Sequence, residues 1–383
     1  MTNKRILIIA LILLLIFNPT KLYSQDIEFQ SNNSEVLVEN NSSDNNYLIL
    51  GFSYLSGFMI SHAKEVVNLR GLNPHTYELD INWHLNNDDV WNDCHCYPRV
   101  GAFLAFHDFD NNELLGYGFT GGLSFTYFLG LPSDYNFHLI GKLGASYLTK
   151  PFDKEKHPYN MAYSTHINYL ISLGAGITIK LTDQLEFQIE GRMNHQSNAA
   201  FLEPNGGINY WAASISANYF LNKPVFKERN IPDPYLQSDK IKRWELSLSY
   251  GISSMPYPMP GQVSMYGITF ARSLQFSRIA CITLGVELER NGRAVEINKR
   301  INPEAEIDPL RASLLAGVEF LMGNTIFSIQ IGGYFYRPFV EKDDVYQRWG
   351  LMYNVYKNIY AGLNFKSYRN SADHLSLRGT LSF

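Results

Sequence analysis

The chain has 383 residues, a formal net charge of −4 at pH 7 and a charged fraction of only 18%. This weakly acidic balance, without a cluster of Lys or Arg, argues against a nucleic-acid-binding surface. No apolar stretch of about 18 residues follows position 24, which argues against a helical membrane protein. The chain is also rich in aromatic residues, with 25 Tyr and 24 Phe. Together these features favour an outer-membrane β-barrel over the alternative of a secreted β-sandwich.

The first 24 residues have the organisation of a secretory signal peptide. Lys4 and Arg5 supply the positive start, and Ile6–Phe17 forms the apolar core. This core has about twelve residues, fewer than the roughly 20 that a spanning helix needs, so we expect its removal; a retained anchor is the alternative. Residues 25–45 are rich in Asn, Ser and Glu and lack hydrophobic periodicity, which predicts a flexible periplasmic lead-in.

Residues 46–222 contain eight segments of strand-like character, most of them near or above the roughly nine to eleven residues that a tilted membrane strand needs. The predicted strands are Tyr47–Phe58, Tyr77–Leu85, Tyr97–Phe106, Leu115–Phe128, Asn136–Leu148, Ile167–Leu181, Leu185–Ser197 and Ile208–Leu221. Outer-membrane barrels have short periplasmic turns, such as 181–183, and long external loops, such as 150–165 and 199–207. With a periplasmic N-terminus, the seventh strand therefore runs outward.

Cys94, His95 and Cys96 lie together in a predicted polar turn. A zinc site needs further ligands at suitable spacing, and no such pattern accompanies this tripeptide. We therefore expect incidental thiols here and no metal site, and we expect no cofactor in the protein.

The seventh predicted strand separates into two faces, because side chains of a strand alternate with period two. Its apolar face comprises Leu185, Phe187, Ile189, Gly191, Met193, His195 and Ser197, and its polar face comprises Glu186, Gln188, Glu190, Arg192, Asn194 and Gln196. This pattern predicts a barrel wall with lipid outside, where His195 and Ser197 project together, and a charged structural network inside.

The second half repeats the strand pattern after a charged, Pro-containing linker at 223–243. Its predicted strands are Trp244–Ile252, Gln262–Leu274, Arg278–Glu289, Leu310–Met322, Thr325–Tyr336, Tyr346–Tyr356, Ile359–Tyr368 and His374–Phe383. The linker, and small inward residues on the fourth and sixth strands, predict an all-β transmembrane protein of two eight-stranded antiparallel barrels, 46–222 and 244–383. One 16-stranded barrel is the alternative.

The segment Asn194–Asn209 resembles the lipid A 3-O-deacylase (PagL) and acyloxyacyl hydrolase-like family of outer-membrane proteins. The likeness covers about residues 46–222 and depends on His-x-Ser-Asn at the end of the seventh strand, followed by a Pro-Asn-x-Gly-like turn. It implies that His195 is the general base, Ser197 the nucleophile and Asn198 an oxyanion-hole residue. The family's orienting Glu is replaced here by Asn209, and Glu203 is a second candidate for that role.

These observations predict a deacylase that hydrolyses an ester-linked acyl chain of lipid A at the lipid-facing outer rim. A Ser hydroxyl needs a neighbouring base to become a good nucleophile, and residues i and i+2 on a strand lie close enough to interact. The expected partners are lipopolysaccharide in the outer membrane of a Gram-negative cell and the barrel assembly machinery, which reads the aromatic-ended last strand. The alternative function is a catalytically inactive channel or scaffold, which the substitution at Asn209 favours.

Overall fold

The structure is a computed structural model that describes residues 46–130, 132–226, 240–304, 306–339, 343–369 and 371–383. The predicted signal peptide (1–24) and the predicted lead-in (25–45) lie outside the described residues. Residues 227–239 of the predicted linker also lie outside them.

Sixteen antiparallel strands form two closed eight-stranded barrels. The first barrel contains β1 (Tyr47–Met59), β2 (His75–His84), β3 (Arg99–Asp108), β4 (Tyr117–Leu129), β5 (Tyr135–Leu148), β6 (Ile167–Lys180), β7 (Leu185–Ser197) and β8 (Ile208–Phe220). The second contains β9 (Lys242–Ser254), β10 (Gln262–Ser277), β11 (Ala280–Asn291), β12 (Leu310–Met322), β13 (Thr325–Tyr336), β14 (Val345–Tyr356), β15 (Ile359–Tyr368) and β16 (Ser371–Ser382).

The two barrels close through direct pairing of their first and last strands. Leu55 of β1 lies opposite Ser214 of β8, and Leu248 of β9 lies opposite Gly379 of β16. The two eight-stranded units are therefore confirmed, and the alternative of one 16-stranded barrel is wrong. All sixteen predicted strands are present, and their ends differ from the prediction by a few residues.

The strands form because polar and apolar residues alternate along them. In β7, Gln188, Glu190 and Arg192 are buried in the barrel, whereas Ile189 is exposed on the outer surface. A polar interior and an apolar exterior are the reverse of a soluble core and are typical of a barrel that spans a membrane.

Ion pairs fill the middle of the first barrel. Glu78 accepts hydrogen bonds from Lys142 at 2.7 Å and from Arg192 at 2.6 Å, and Asp80 lies 2.6 Å from Lys142. Arg192 also lies 2.5 Å from Glu190. Because each buried charge has a partner, the network stabilises one arrangement of the strands, and removing one member would leave another buried charge uncompensated.

Inward glycines make room for these long side chains. A Cβ atom on Gly174 would lie 2.8 Å from Cγ of Arg192, and one on Gly176 would lie 2.6 Å from Cγ of Glu190. The predicted small inward residues therefore have a specific packing reason. The barrel is narrow, and a large residue on β6 would collide with the charged residues on β7.

A second ion-pair network fills the second barrel. Glu287 accepts hydrogen bonds from Arg348 at 2.5 Å and from Lys366 at 2.8 Å, and Lys366 also reaches Glu289 at 3.0 Å. Arg311 pairs with Glu289 on the same face. Both barrels are therefore filled by their own charged side chains.

The connections of the first barrel differ between its two ends. The longer connections lie at one end, which we call the loop end, and comprise residues 60–74, 109–116, 149–166 and 198–207. Short turns lie at the other end, which we call the turn end, and comprise residues 130–134 and 181–184. One connection of the turn end, 85–98, is longer because it contains a helix.

In the part of the chain that the structure describes, three short helices lie in the connections between strands, and none of them was predicted. They are a 3-10 helix at Lys64–Leu69, α1 at Asp88–Cys94 and α2 at Gly292–Ile301. The side chain of Asn87 caps α1 by accepting a hydrogen bond from Val90 N, as polar N-cap residues do. Among the described residues, no helix is long and apolar enough to cross a membrane.

Cys94 and Cys96 form a disulfide bond at the end of α1. The expectation of incidental thiols was therefore wrong. His95 between them adopts a left-handed conformation with φ of 50°, which turns the chain back and brings the two flanking side chains together. The predicted turn is present, but the spacing of the two cysteines did not lead us to predict the disulfide bond.

Candidate active site

His195 and Ser197 are alternate residues at the end of β7, at the loop end of the first barrel. The pleat places them on the same face of β7 as Ile189 and Met193. The register of β7 and β8 sets His195 directly opposite Asn209. Adjacent strands in this register bring cross-strand side chains within reach of each other.

The three side chains form a continuous hydrogen-bonded chain. Nε2 of His195 lies 2.8 Å from Oγ of Ser197, and Nδ1 of His195 lies 2.6 Å from Oδ1 of Asn209. Ser197 and Asn209 are buried and His195 is partly buried. Because Oδ1 can only accept, Nδ1 carries the proton, and Nε2 is free to accept the proton of the Ser197 hydroxyl. This is the tautomer that a general base requires.

Glu203, the second candidate for orienting His195, lies in the 198–207 connection and precedes Pro204 in a cis peptide bond. The hydrogen-bonding position at Nδ1 of His195 is taken by Asn209 instead. The geometry therefore favours Asn209 over Glu203 as the orienting residue.

His62 joins this chain and was missed in the sequence. Nδ2 of Asn209 lies 3.0 Å from Nδ1 of His62, which follows β1 in the 60–74 connection. The residue is brought there because Ile60 N donates to Asn209 O at 2.8 Å, so the chain leaving β1 runs past Asn209. A His three residues beyond the end of β1 was the available signal, but only barrel closure sets β1 beside β8.

Asn198 organises the connection that follows the candidate nucleophile. Its Nδ2 donates to Leu202 O at 2.7 Å and to Ser164 Oγ at 3.2 Å, and its Oδ1 accepts from Phe201 N at 3.1 Å. Its backbone N donates to Oδ1 of Asn205 at 3.0 Å. The amide of Asn198 is thus engaged within the protein and does not point freely at the reacting centre.

Ala199 lies close to the candidate nucleophile, and its backbone N–H donates a hydrogen bond to Ser197 Oγ at 3.4 Å. Both Ala199 and Ala200 have left-handed conformations, with φ of 55° and 60°. Two successive left-handed residues are unusual for alanine, so the loop makes a tight turn directly after Ser197.

Gly207 is required where the loop returns to β8. It has a φ of 76°, and a Cβ there would lie 3.1 Å from Cε1 of His195. Gly206 N and Gly207 N donate to Met161 O and Ala162 O at 2.9 and 2.7 Å. The 149–166 connection therefore holds the second half of the 198–207 connection against the imidazole of His195.

Tyr163 anchors this neighbouring connection. It is buried, its hydroxyl donates to Leu115 O at 2.5 Å, and it accepts from Lys150 N at 3.1 Å. Burial raises the pKa of Tyr163, so the phenol keeps its proton at neutral pH and remains a donor. Its ring belongs to a hydrophobic cluster beneath the site that includes Val66 and Ile208.

The second barrel contacts the 198–207 connection, which follows the candidate nucleophile. Ser254 N donates to Ala200 O at 2.8 Å, and Nε2 of Gln262 donates to Phe201 O at 2.6 Å. The ring of Tyr257 in the β9–β10 connection packs edge-on against Phe152, with centroids 5.7 Å apart. These contacts fix the outer side of the loop that carries Ala199 and Ala200.

A separate cavity of 190 Å³ lies at the turn end of the first barrel. It is lined by residues such as His84, Arg99, Glu186 and Phe226. None of the residues that line it belongs to the His195 site, so the two features are independent. Within the described residues, no group of three or more His, Cys, Asp or Glu side chains is placed to hold a metal ion.

Comparison with known proteins gives two family matches. Residues 75–218 match the family model of lipid A 3-O-deacylase (PagL), and residues 242–383 match the model of the acyloxyacyl hydrolase C-terminal domain. The first match includes β7 and all but the last two residues of β8. No curated protein matches the chain.

Several solved structures share parts of the fold. Neisserial surface protein A is 10% identical, with 45% of this chain and 96% of that chain covered and a TM-score of 0.31. The outer-membrane enzyme PagL is 15% identical, with 43% and 97% covered and a TM-score of 0.30. A Rh. blastica porin mutant is 9% identical, with 88% and 100% covered and a TM-score of 0.21.

The two family matches follow one another along the chain and correspond to the two barrels. The first contains the His-x-Ser-Asn segment, and the second begins at the first residue of β9. The first barrel therefore belongs to the lipid A 3-O-deacylase (PagL) family, and the second barrel is of the acyloxyacyl hydrolase C-terminal type.

Proposed function

We propose that this protein is an outer-membrane esterase that hydrolyses an ester-linked acyl chain of lipid A. The observation that carries the proposal is the hydrogen-bonded chain Ser197–His195–Asn209 on the outward face of β7 and β8. It lies within the part of the chain that matches a lipid A 3-O-deacylase model.

The reaction follows from the geometry. Ser197 Oγ attacks the ester carbonyl while His195 Nε2, at 2.8 Å, takes the hydroxyl proton. The imidazolium then gives this proton to the departing sugar oxygen, and the acyl group remains on Ser197. Water, activated by the same imidazole, attacks the acyl-enzyme, and the fatty acid leaves with Ser197 regenerated.

Asn209 holds the imidazole in the reactive tautomer by accepting the Nδ1 proton at 2.6 Å. An amide, unlike a carboxylate, brings no negative charge to stabilise the imidazolium that forms during the reaction. The site is thus built for the same chemistry as a Ser-His-acid enzyme, with weaker assistance to the base.

The developing oxyanion needs a donor, and Ala199 N–H fills this role. Its hydrogen bond of 3.4 Å to Ser197 Oγ, the attacking atom, supports this assignment. Asn198 contributes by holding the loop through its bonds to Leu202 and Ser164. One such donor contributes roughly a hundredfold to a thousandfold in rate in acyl-transfer enzymes.

The substrate reaches the site from the membrane. With the turn end in the periplasm, the loop end lies at the outer leaflet, where the sugar and acyl parts of lipid A meet. Trp211 and Ile189 are exposed on the same outward faces of β8 and β7 and offer an apolar surface to the acyl chain. A laterally arriving ester needs no deep pocket.

Export and barrel assembly are part of the same proposal. The signal peptide, 1–24, is removed on export, and the barrel assembly machinery recognises β16, which ends beside the exposed Phe383. This step precedes any contact with lipopolysaccharide.

A non-enzymatic barrel is the second candidate, and the Asn at position 209 is the observation that favours it. Mass spectrometry of lipid A from cells that express the wild type, Ser197→Ala or Ser133→Ala distinguishes the two. We expect lipid A lacking one ester-linked acyl chain in the wild type and in Ser133→Ala, whose serine is exposed at the turn end. Identical spectra for the wild type and Ser197→Ala would exclude the esterase.

A further inference from the structure

The amide of Asn209 lies between two imidazoles, and each of its two polar atoms faces one of them. Oδ1 is 2.6 Å from Nδ1 of His195, and Nδ2 is 3.0 Å from Nδ1 of His62. We propose that His62 is a positioning residue that holds the Asn209 amide with its oxygen toward His195. This proposal rests on the proposed Ser197 chemistry and adds a fourth residue to it.

An amide needs such orientation because its two ends are different in function and nearly equal in shape. With Oδ1 toward His195, the imidazole keeps its proton on Nδ1, and Nε2 accepts the proton of Ser197. With Nδ2 toward His195, the amide donates to Nδ1, so the proton moves to Nε2. An Nε2–H donates to Ser197 and cannot act as its base. A carboxylate has two equivalent oxygens and presents no such choice.

His62 distinguishes the two orientations of Asn209. Nδ1 of a neutral imidazole that carries its proton on Nε2 is an acceptor, and it bonds the NH₂ group of Asn209. Turning the amide by half a rotation would set Oδ1 against the same lone pair of His62 and lose the hydrogen bond on that side, while His195 would have to move its proton to Nε2. The productive orientation of Asn209 is therefore favoured by His62 in this tautomer.

The chain around His62 fixes the ring in place. Ile60 N donates to Asn209 O at 2.8 Å, so the backbone before His62 is tied to the same residue that His62 orients. Four residues later, Val66 in the 3-10 helix packs in a buried cluster with Ile208 and Tyr210, the neighbours of Asn209 on β8. His62 thus lies within a short segment of backbone that is anchored on both sides of it.

Two substitutions of His62 test the hydrogen bond itself. In the full-length protein, purified in detergent and assayed with a soluble short-chain nitrophenyl ester, His62→Gln keeps an acceptor for Asn209 and His62→Leu removes it. We expect His62→Leu to lower kcat roughly threefold to tenfold, the effect of one hydrogen bond, with KM within about twofold. His62→Gln should recover most of the loss.

His75→Leu is the matched control. His75 is also partly buried at the loop end, but it bonds the Tyr54 hydroxyl at 2.8 Å and stacks on its ring. We expect His75→Leu to retain wild-type kcat. Equal losses in His62→Gln and His62→Leu would mean that the ring only fills space, and this result would overturn the proposal.

The decisive measurement repeats the two substitutions in an Asn209→Asp background. A carboxylate needs no orientation, so the difference between His62→Leu and His62→Gln should fall to within about twofold there. A difference that persists overturns the role of His62 and leaves the esterase intact. Hydrolysis by Ser197→Ala at the wild-type rate would instead refute the esterase itself, so the two failures are distinguishable.

Discussion

The identity of residue 209 is the sharpest test of how this site works. Asn209→Asp replaces the amide by a carboxylate of the same shape, at a position 2.6 Å from Nδ1 of His195. The carboxylate accepts the same hydrogen bond and adds a negative charge beside the imidazolium that forms as Ser197 attacks. We therefore expect Asn209→Asp to turn over an ester faster than the wild type.

The magnitude follows from the kind of hydrogen bond at Asn209. A bond between neutral groups contributes about 0.5–1.5 kcal/mol, and a bond to a charged group about 1.5–3 kcal/mol. The additional stabilisation of the imidazolium is therefore about 1 kcal/mol, which corresponds to about a fivefold higher kcat. Residue 209 is 8% exposed, so desolvation of the new carboxylate limits the gain.

The assay is steady-state hydrolysis of a soluble nitrophenyl ester near neutral pH by the detergent-solubilised, full-length protein. Asn209→Ala is the control, because it removes the acceptor and should lower kcat below that of the wild type. Urea unfolding of each variant establishes that the barrels are equally stable. If Asn209→Asp were no faster than the wild type at equal stability, residue 209 would not assist the base, and the reasoning would be refuted.

Three further predictions concern the loop, the barrel interior and the second barrel. Gly207→Ala should lower kcat several-fold, because φ of 76° costs about 1–2 kcal/mol for alanine and the new Cβ meets the imidazole at 3.1 Å; Gly191→Ala, which meets nothing within 4 Å, is the kinetic control. Arg192→Ala should lower the free energy of unfolding by about 3–5 kcal/mol in urea titrations, since two buried carboxylates lose a partner; a loss below about 1 kcal/mol would contradict the network. Gln262→Ala should lower kcat about twofold with unchanged urea stability, because its 2.6 Å bond to the 198–207 connection is lost; unchanged ester kinetics would show that this contact is dispensable.

The strands were predictable because a barrel wall encodes its two faces locally. Along β7, Ile189 must meet lipid while Glu190 must meet the charged interior, and this alternation is visible without any knowledge of neighbouring strands. The helix α1 and the Cys94–Cys96 bond were not predictable in the same way. They depend on a capping bond and a left-handed turn, which leave little trace in hydrophobic periodicity.

In the candidate site, too, some residues could be predicted from the sequence and others could not. His195 and Ser197 are two residues apart on one strand, so their shared face follows from the sequence, and the motif marks Asn209 as well. His62 belongs to a distant connection and reaches Asn209 only because β1 pairs with β8. The roles of Asn198 and Ala199 also depend on loop conformation, which alternation does not describe.

By itself, the sequence determined the sixteen strands, their inner and outer faces and the shared face of His195 and Ser197 at the end of β7, because each depends on spacing within one segment. Only the tertiary structure decided that the strands close as two barrels, that His62 meets Asn209 and that the second barrel supports the 198–207 connection. Closure and loop contacts join residues far apart in the chain, and their free energy depends on which surfaces meet rather than on any local pattern.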